Sequence, residues 1–284
     1  MTQRNKSESS SRKQRKIPGG ALVAALLVCA VVIAIGVGAT IAYFTDKTEV
    51  ENVFTFGDVD IIPREPNFPP DNPPVTPNEE TPKDPMIANT GSQAAIVFME
   101  VQVPVEDVIL VDANGGLNSE YFDTNGAVDK TKMIPEELFW FNSDAAATET
   151  VGENTYNSKW ILLSKSEEKT AGGYVTYLFG YTNVLAASDE PFNSGSNIDE
   201  FPNTEPLFDR VRMKNYLEGT LDTSKVYNIL INTYAIQAAY LSNQDGYIFN
   251  DSNENGVPAA DRVLTKDNLQ EIWTIYAAQT QPSA

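Results

Sequence analysis

KDPMIANTGSQAAIVFMEVQVPVEDV, residues 83–108, is the stretch on which the fold class turns. Asn89, Thr90 and Gly91 make a turn signal. From Ala95 to Val103 the chain reads as a strand, with Ile96 and Phe98 on one side and Val97, Met99 and Val101 on the other. Further strand candidates follow at KWILLS (159–164), YVTYLFGYT (174–182), LFDRVRM (207–213) and VYNILINTYAIQA (226–238). Many short strands joined by polar turns predict a mainly β domain over residues 86–284, an antiparallel β-sandwich.

Two short helical decorations are expected on it. In PEELFWF (135–141) a proline stands at a helix start with acids behind it. In TKDNLQEIWTIYAA (265–278) Leu269, Ile272, Trp273 and Tyr276 share one face at i, i+3, i+4 and i+7.

Upstream of the domain, residues 63–85 carry nine prolines in 23 positions. Proline fixes φ and lacks an N–H, so this linker is expected to be extended and stiff, reaching on the order of 70 Å at ~3.1 Å per residue. A surface loop packed along the domain is the other reading. Residues 43–62 read as an N-terminal strand, in which Phe54 and Phe56 alternate with Val53 and Thr55, and Val59 and Ile61 with Asp58 and Asp60. Gly57 lies where the apolar face changes parity, as at a β-bulge. The strand is either the first of its own sandwich or a donor strand lent to a neighbouring copy, with Phe54, Phe56, Val59 and Ile61 as the subunit-interface side chains.

Residues 1–42 have the makings of an export signal. Six basic residues and one acid precede the apolar run ALVAALLVCAVVIAIGVGATIA (21–42), and Thr40 and Ala42 suit the −3 and −1 pockets of a signal peptidase, placing cleavage before Tyr43. The run also reaches the ~20 residues needed to span a bilayer, so a retained signal helix acting as an anchor is the alternative.

The junction resembles the signal and mature start of exported matrix proteins of the TasA/BsaA-like group, which a SipW-type signal peptidase processes. That pattern, A-[YF]-F-[ST]-D followed by N-x-F-x-x-G-x-x-D-[IL], falls on Ala42, Tyr43, Phe44, Thr45 and Asp46, then on Asn52, Phe54, Gly57, Asp60 and Ile61. The group's K-D-P-x-[IV]-x-N-T-G is matched by Lys83, Asp84, Pro85, Ile87, Asn89, Thr90 and Gly91. Its A-Y-A-I-Q strand is matched by Tyr234, Ala235, Ile236 and Gln237, with Thr233 in place of the first alanine. The resemblance implies a jelly-roll-like sandwich, secretion to the extracellular matrix or cell surface, and head-to-tail polymerisation into biofilm-matrix fibres by donor-strand exchange. Membrane contact would then run only through the uncleaved signal.

Composition narrows the chemistry. The chain has 20 basic and 39 acidic residues, and losing the six and the one of residues 1–42 leaves 14 and 38, a balance of −24. General electrostatics then disfavour nucleic acid and anionic surfaces as partners. No histidine is present and the one cysteine, Cys29, lies in the signal, so zinc proteolysis, thiol catalysis and Ser–His–Asp triads are excluded and no enzyme is expected. The loop at Asp251, Asn253, Asn255 and Gly256 opens like a calcium loop, D-x-N-x-N-G, but Arg262 stands where the closing bidentate acid belongs. It reads as a weak calcium site or as an Asn-rich turn; otherwise no cofactor is expected. Glu136, Glu137, Glu167 and Glu168 read as solvated acids. A matrix-fibre subunit is the leading reading, and a monomeric adhesin held in the membrane by residues 21–42 is the alternative.

Overall fold

The computed structural model describes residues 59–69, 76–112, 114–166, 169–250 and 256–280. In chain order the strands are β1 (Ile61–Arg64), β2 (Glu80–Pro82), β3 (Met86–Asn89), β4 (Ala95–Val108), β5 (Ile134–Glu137), β6 (Phe139–Asn142), β7 (Thr148–Val151), β8 (Asn154–Asn157), β9 (Trp160–Lys165), β10 (Tyr174–Tyr181), β11 (Arg210–Met213), β12 (Leu230–Gln237), β13 (Ser242–Asn243) and β14 (Gly246–Tyr247). Helix α1 (Lys266–Thr280) follows. The described protein is therefore mainly β with one α-helix, and its strand pairs are antiparallel.

Strand β4 is the spine. It lies between β12 and β10 in a sheet of order β12-β4-β10-β9, and its far end pairs with β5. A second sheet has the order β2-β11-β6. The alternation of β4 sends Val97, Met99, Val101 and Val103 into one core together with Val175, Tyr177 and Phe179 of β10. The second sheet meets them there with Phe141 of β6 and Val211 and Met213 of β11, joined by Phe208. The ring of Phe141 stacks on Phe208 at 4.9 Å and stands edge-on to Tyr177 at 5.3 Å, so aromatic side chains fill much of the space between the sheets.

The other face of β4 is covered by α1. Ile96 and Phe98 pack with Leu178, Ile236, Leu269, Ile272 and Tyr276, and Trp273 stands edge-on to Phe98 at 5.1 Å. Gly180 pairs with Phe98 in the ladder, and a Cβ added there would lie 3.0 Å from Cδ2 of Leu269. The missing side chain lets the helix lie close to the sheet. Reciprocal bonds start the helix: Thr265 Oγ1 accepts from the Asn268 amide, and Asn268 Oδ1 accepts from the Thr265 amide, each at 3.2 Å.

Two expectations change. Residues 135–141 form β5 and β6, because Phe139 and Phe141 point inward while Trp140 and Asn142 are only half-buried, a period of two that overrides the helix-start signal of Pro135. Strand β4 continues through Pro104 to Val108. Pairing with β12 stops at Gln102 and pairing with β5 begins at Val105, so the proline sits where the ladder changes partner and its missing N–H breaks little.

The stretch read either as a stiff linker or as a surface loop packed along the domain is packed at both described ends: β1 pairs with β3, and β2 pairs with β11. Pro63 and Pro82 are tolerated there because β1 and β2 each pair on one side only among the described residues.

Candidate functional site

Residues of the stretch 83–91 fasten the start of the described chain to the body of the domain. Ile61 pairs with Asn89 in the β1–β3 ladder, and the Asp60 carbonyl accepts from the amides of Thr90 (2.8 Å) and Gly91 (3.1 Å). Asn89, fully buried, shapes that turn. Its Oδ1 accepts from the Gly91 amide at 3.1 Å, and its Nδ2 donates to the carbonyls of Gln93 (2.9 Å) and Ala186 (2.7 Å). The Asp84 carboxylate accepts from the Asn67 amide (2.9 Å) and from Asn67 Nδ2 (2.8 Å), while Lys83 Nζ reaches both Glu65 oxygens at 2.6 and 2.8 Å. Lys83 and Asp84 are both buried, where an unpaired charge would be costly and a paired one fixes geometry. Arg64 completes the fastening by donating to Asn203 at 2.8 Å and pairing with Asp199.

A second polar group bridges the edge of the core. Glu137, expected on a solvated face, is buried at the end of β5 and accepts from the Tyr177 hydroxyl at 2.5 Å. Asn154 Nδ2 donates to the same hydroxyl at 3.1 Å, and Lys165 Nζ lies 3.4 Å from Glu137. Burial first, then the bond to Glu137 and its charge, push the Tyr177 phenol well above its ordinary range. The phenol therefore stays protonated and acts as a fixed donor.

A cavity of about 270 Å³ opens beside the second sheet, lined by Asn78, Leu110, Val111, Asp112, Trp140, Glu153, Arg212, Lys214 and Asn215. Arg212 lies over the Trp140 ring with its guanidinium carbon 4.6 Å from the centroid. Trp140 Nε1 donates to Glu153 at 2.8 Å, and Lys214 Nζ pairs with the same carboxylate at 3.2 Å. Burial opposes ionisation of Glu153, but the Trp140 N–H and the Lys214 ammonium outweigh it and hold the carboxyl below its ordinary value. Lys214 and Glu153 thus balance each other, whereas Arg212 forms no ion pair among the described residues and its Nε is buried without a hydrogen bond.

The residues singled out in the sequence are distributed unevenly. Val59 and Ile61, expected at a subunit interface, are buried in the chain's own core beside Ile87. Phe54 and Phe56, the signal residues Thr40, Ala42 and Tyr43, and the calcium candidates Asp251, Asn253 and Asn255 lie outside the described residues. Gly256, next to that loop, has φ +87° and its amide donates to the Phe249 carbonyl at 2.7 Å. Among the described residues no group of three or more acids, histidines or cysteines is placed to hold a metal.

The cavity was not legible in advance, because Trp140, Glu153 and Arg212 come from separate parts of the sequence. A basic residue two positions from another on a strand, as in Arg210-Val-Arg212, was its one local sign. Comparison with protein-family models, curated proteins and solved structures finds no match to this chain.

Proposed function

We propose that the chain is a secreted structural subunit of extracellular matrix fibres, similar to the TasA/BsaA-like group, with a jelly-roll-type arrangement of its sheets. The observation that carries this reading is the fastening at residues 60–67. Lys83, Asp84, Asn89, Thr90 and Gly91 carry the resemblance in sequence; Lys83, Asp84, Thr90 and Gly91 hold Glu65, Asn67 and Asp60, and Asn89 shapes the turn between them. A motif of that kind does mechanical work: it pins the chain where the N-terminal strand joins the body, so pull on that strand is borne by buried, charge-assisted bonds.

In this reading the donor strand is residues 43–58, after removal of the signal at Ala42, and Val59 and Ile61 are its root in the donor's own core. The strand adds to a sheet edge of the next copy by main-chain pairing, with Phe54 and Phe56 filling pockets. Strand β12 is a suitable receiver, since among the described residues it pairs only with β4. Head-to-tail addition does not close on itself and gives a filament.

The test compares residues 43–284 with residues 59–284 by negative-stain microscopy. Filaments from the first and dispersed, folded particles from the second are expected. Filaments from both would remove the donor strand from the account.

A further inference from the structure

We propose that the cavity between Trp140, Arg212 and Asp112 is a binding site for a small polyhydroxylated carboxylate, a sugar acid of the uronic type. The proposal rests on an imbalance among the lining groups. Glu153 is satisfied by Trp140 Nε1 and Lys214, and Asp112 Oδ1 accepts from the amides of Asn114 and Gly116, each at 2.8 Å. Of the two basic residues that line the cavity, Lys214 is paired and Arg212 has no ion pair among the described residues, in a chain with nearly twice as many acids as bases. The guanidinium carbon lies over the Trp140 ring, 4.6 Å from its centroid, so the ring supports the group on one side. A carboxylate is the group that matches a guanidinium fork.

The rest of the lining favours a carboxylate that also carries hydroxyls. Asn78, Asp112, Glu153 and Asn215 surround the space with amide and carboxylate groups, and Leu110 and Val111 supply an apolar wall. A cavity of about 270 Å³ is of the size of one sugar ring. The Asp112 and Glu153 carboxylates in its lining repel a second negative charge but accept hydrogen bonds from hydroxyls, which selects a monoacid with several O–H groups over a polyanion. The site stands apart from the N-terminal fastening and does not depend on polymerisation.

The experiment is a titration of the full chain with glucuronate, followed by tryptophan fluorescence and by calorimetry. Glucose and N-acetylglutamate are the parallel probes, and Arg212→Gln and Arg212→Lys the variants. Saturable binding of glucuronate is expected, with no response to glucose at the same concentration and a weaker one to N-acetylglutamate. Loss of the charged hydrogen bonds should weaken binding at least about tenfold in Arg212→Gln, and Arg212→Lys, which keeps the charge without the fork, should fall between. Circular dichroism checks that both variants are folded. Absence of saturable binding to the unmodified chain, equal binding by Arg212→Gln, or equal affinity for glucose would overturn the proposal. Binding of N-acetylglutamate as tight as glucuronate would overturn the assignment to a sugar acid.

Discussion

The Tyr177 hydroxyl donates to the Glu137 carboxylate across 2.5 Å, joining β10 to the end of β5 at the edge of the aromatic core. Two residues 40 positions apart thus satisfy each other where neither could be left alone. Tyr177→Phe leaves the buried carboxylate with weaker donors and should cost about 1–3 kcal/mol in urea unfolding at neutral pH.

Burial of the Tyr177 phenol, and after it the same bond, set an alkaline limit. The folded-state pKa of Tyr177 is raised above its ordinary 10.0, so its contribution to stability is complete below pH 10 and is lost as pH rises above it. Unfolding free energy should fall above pH 10 in the unmodified protein and fall less steeply in Tyr177→Phe. Identical slopes in the two would contradict the linkage.

Gly180 and Leu269 make a second close pair, between the sheet and the helix. A Cβ at Gly180 would lie 3.0 and 3.1 Å from the two methyls of Leu269, which is fully buried and has little room to turn away. Gly180→Ala should therefore destabilise by about 1–3 kcal/mol. Combining it with Leu269→Ala should cost less than the sum of the two single changes, because the smaller helix residue relieves the overlap. Additive costs in denaturant melts would show that the helix does not rest on Gly180.

Thr233 offers a gain. Its side chain is buried in β12, facing Met99 across the ladder, and its Oγ1 has no hydrogen-bond partner. Thr233→Val keeps the shape and removes the unsatisfied oxygen, so stability should rise by about 1 kcal/mol. A loss of stability would mean that the hydroxyl is bonded.

Local periodicity carried the parts of the fold that were readable from the chain. In β4 the two apolar faces separate into the two cores they fill, and in α1 the expected face holds Leu269, Ile272 and Tyr276. The failures share a cause. Pro135 and the acids after it have the local chemistry of a helix start, but Phe139 and Phe141 are drawn into the core between the sheets. Likewise, nothing near Glu137 in sequence announces Tyr177, and nothing near Arg212 announces Trp140. The motif residues Lys83 and Asp84 could be matched to a family pattern, yet their task of holding Glu65 and Asn67 appears only in three dimensions.

The most direct test of fibre formation is the double substitution Phe54→Asp and Phe56→Asp, examined by electron microscopy and circular dichroism on one sample. Burial of a Phe contributes on the order of 1.5–3 kcal/mol, and an aspartate there adds an unpaired charge to the contact. Because β1 and the bonds at Asp60, Glu65 and Asn67 lie outside the substituted segment, the domain should remain folded and secreted while filaments disappear. Filaments that persist would contradict the donor-strand account, and so would loss of the fold together with loss of filaments, since the strand would then belong to its own domain.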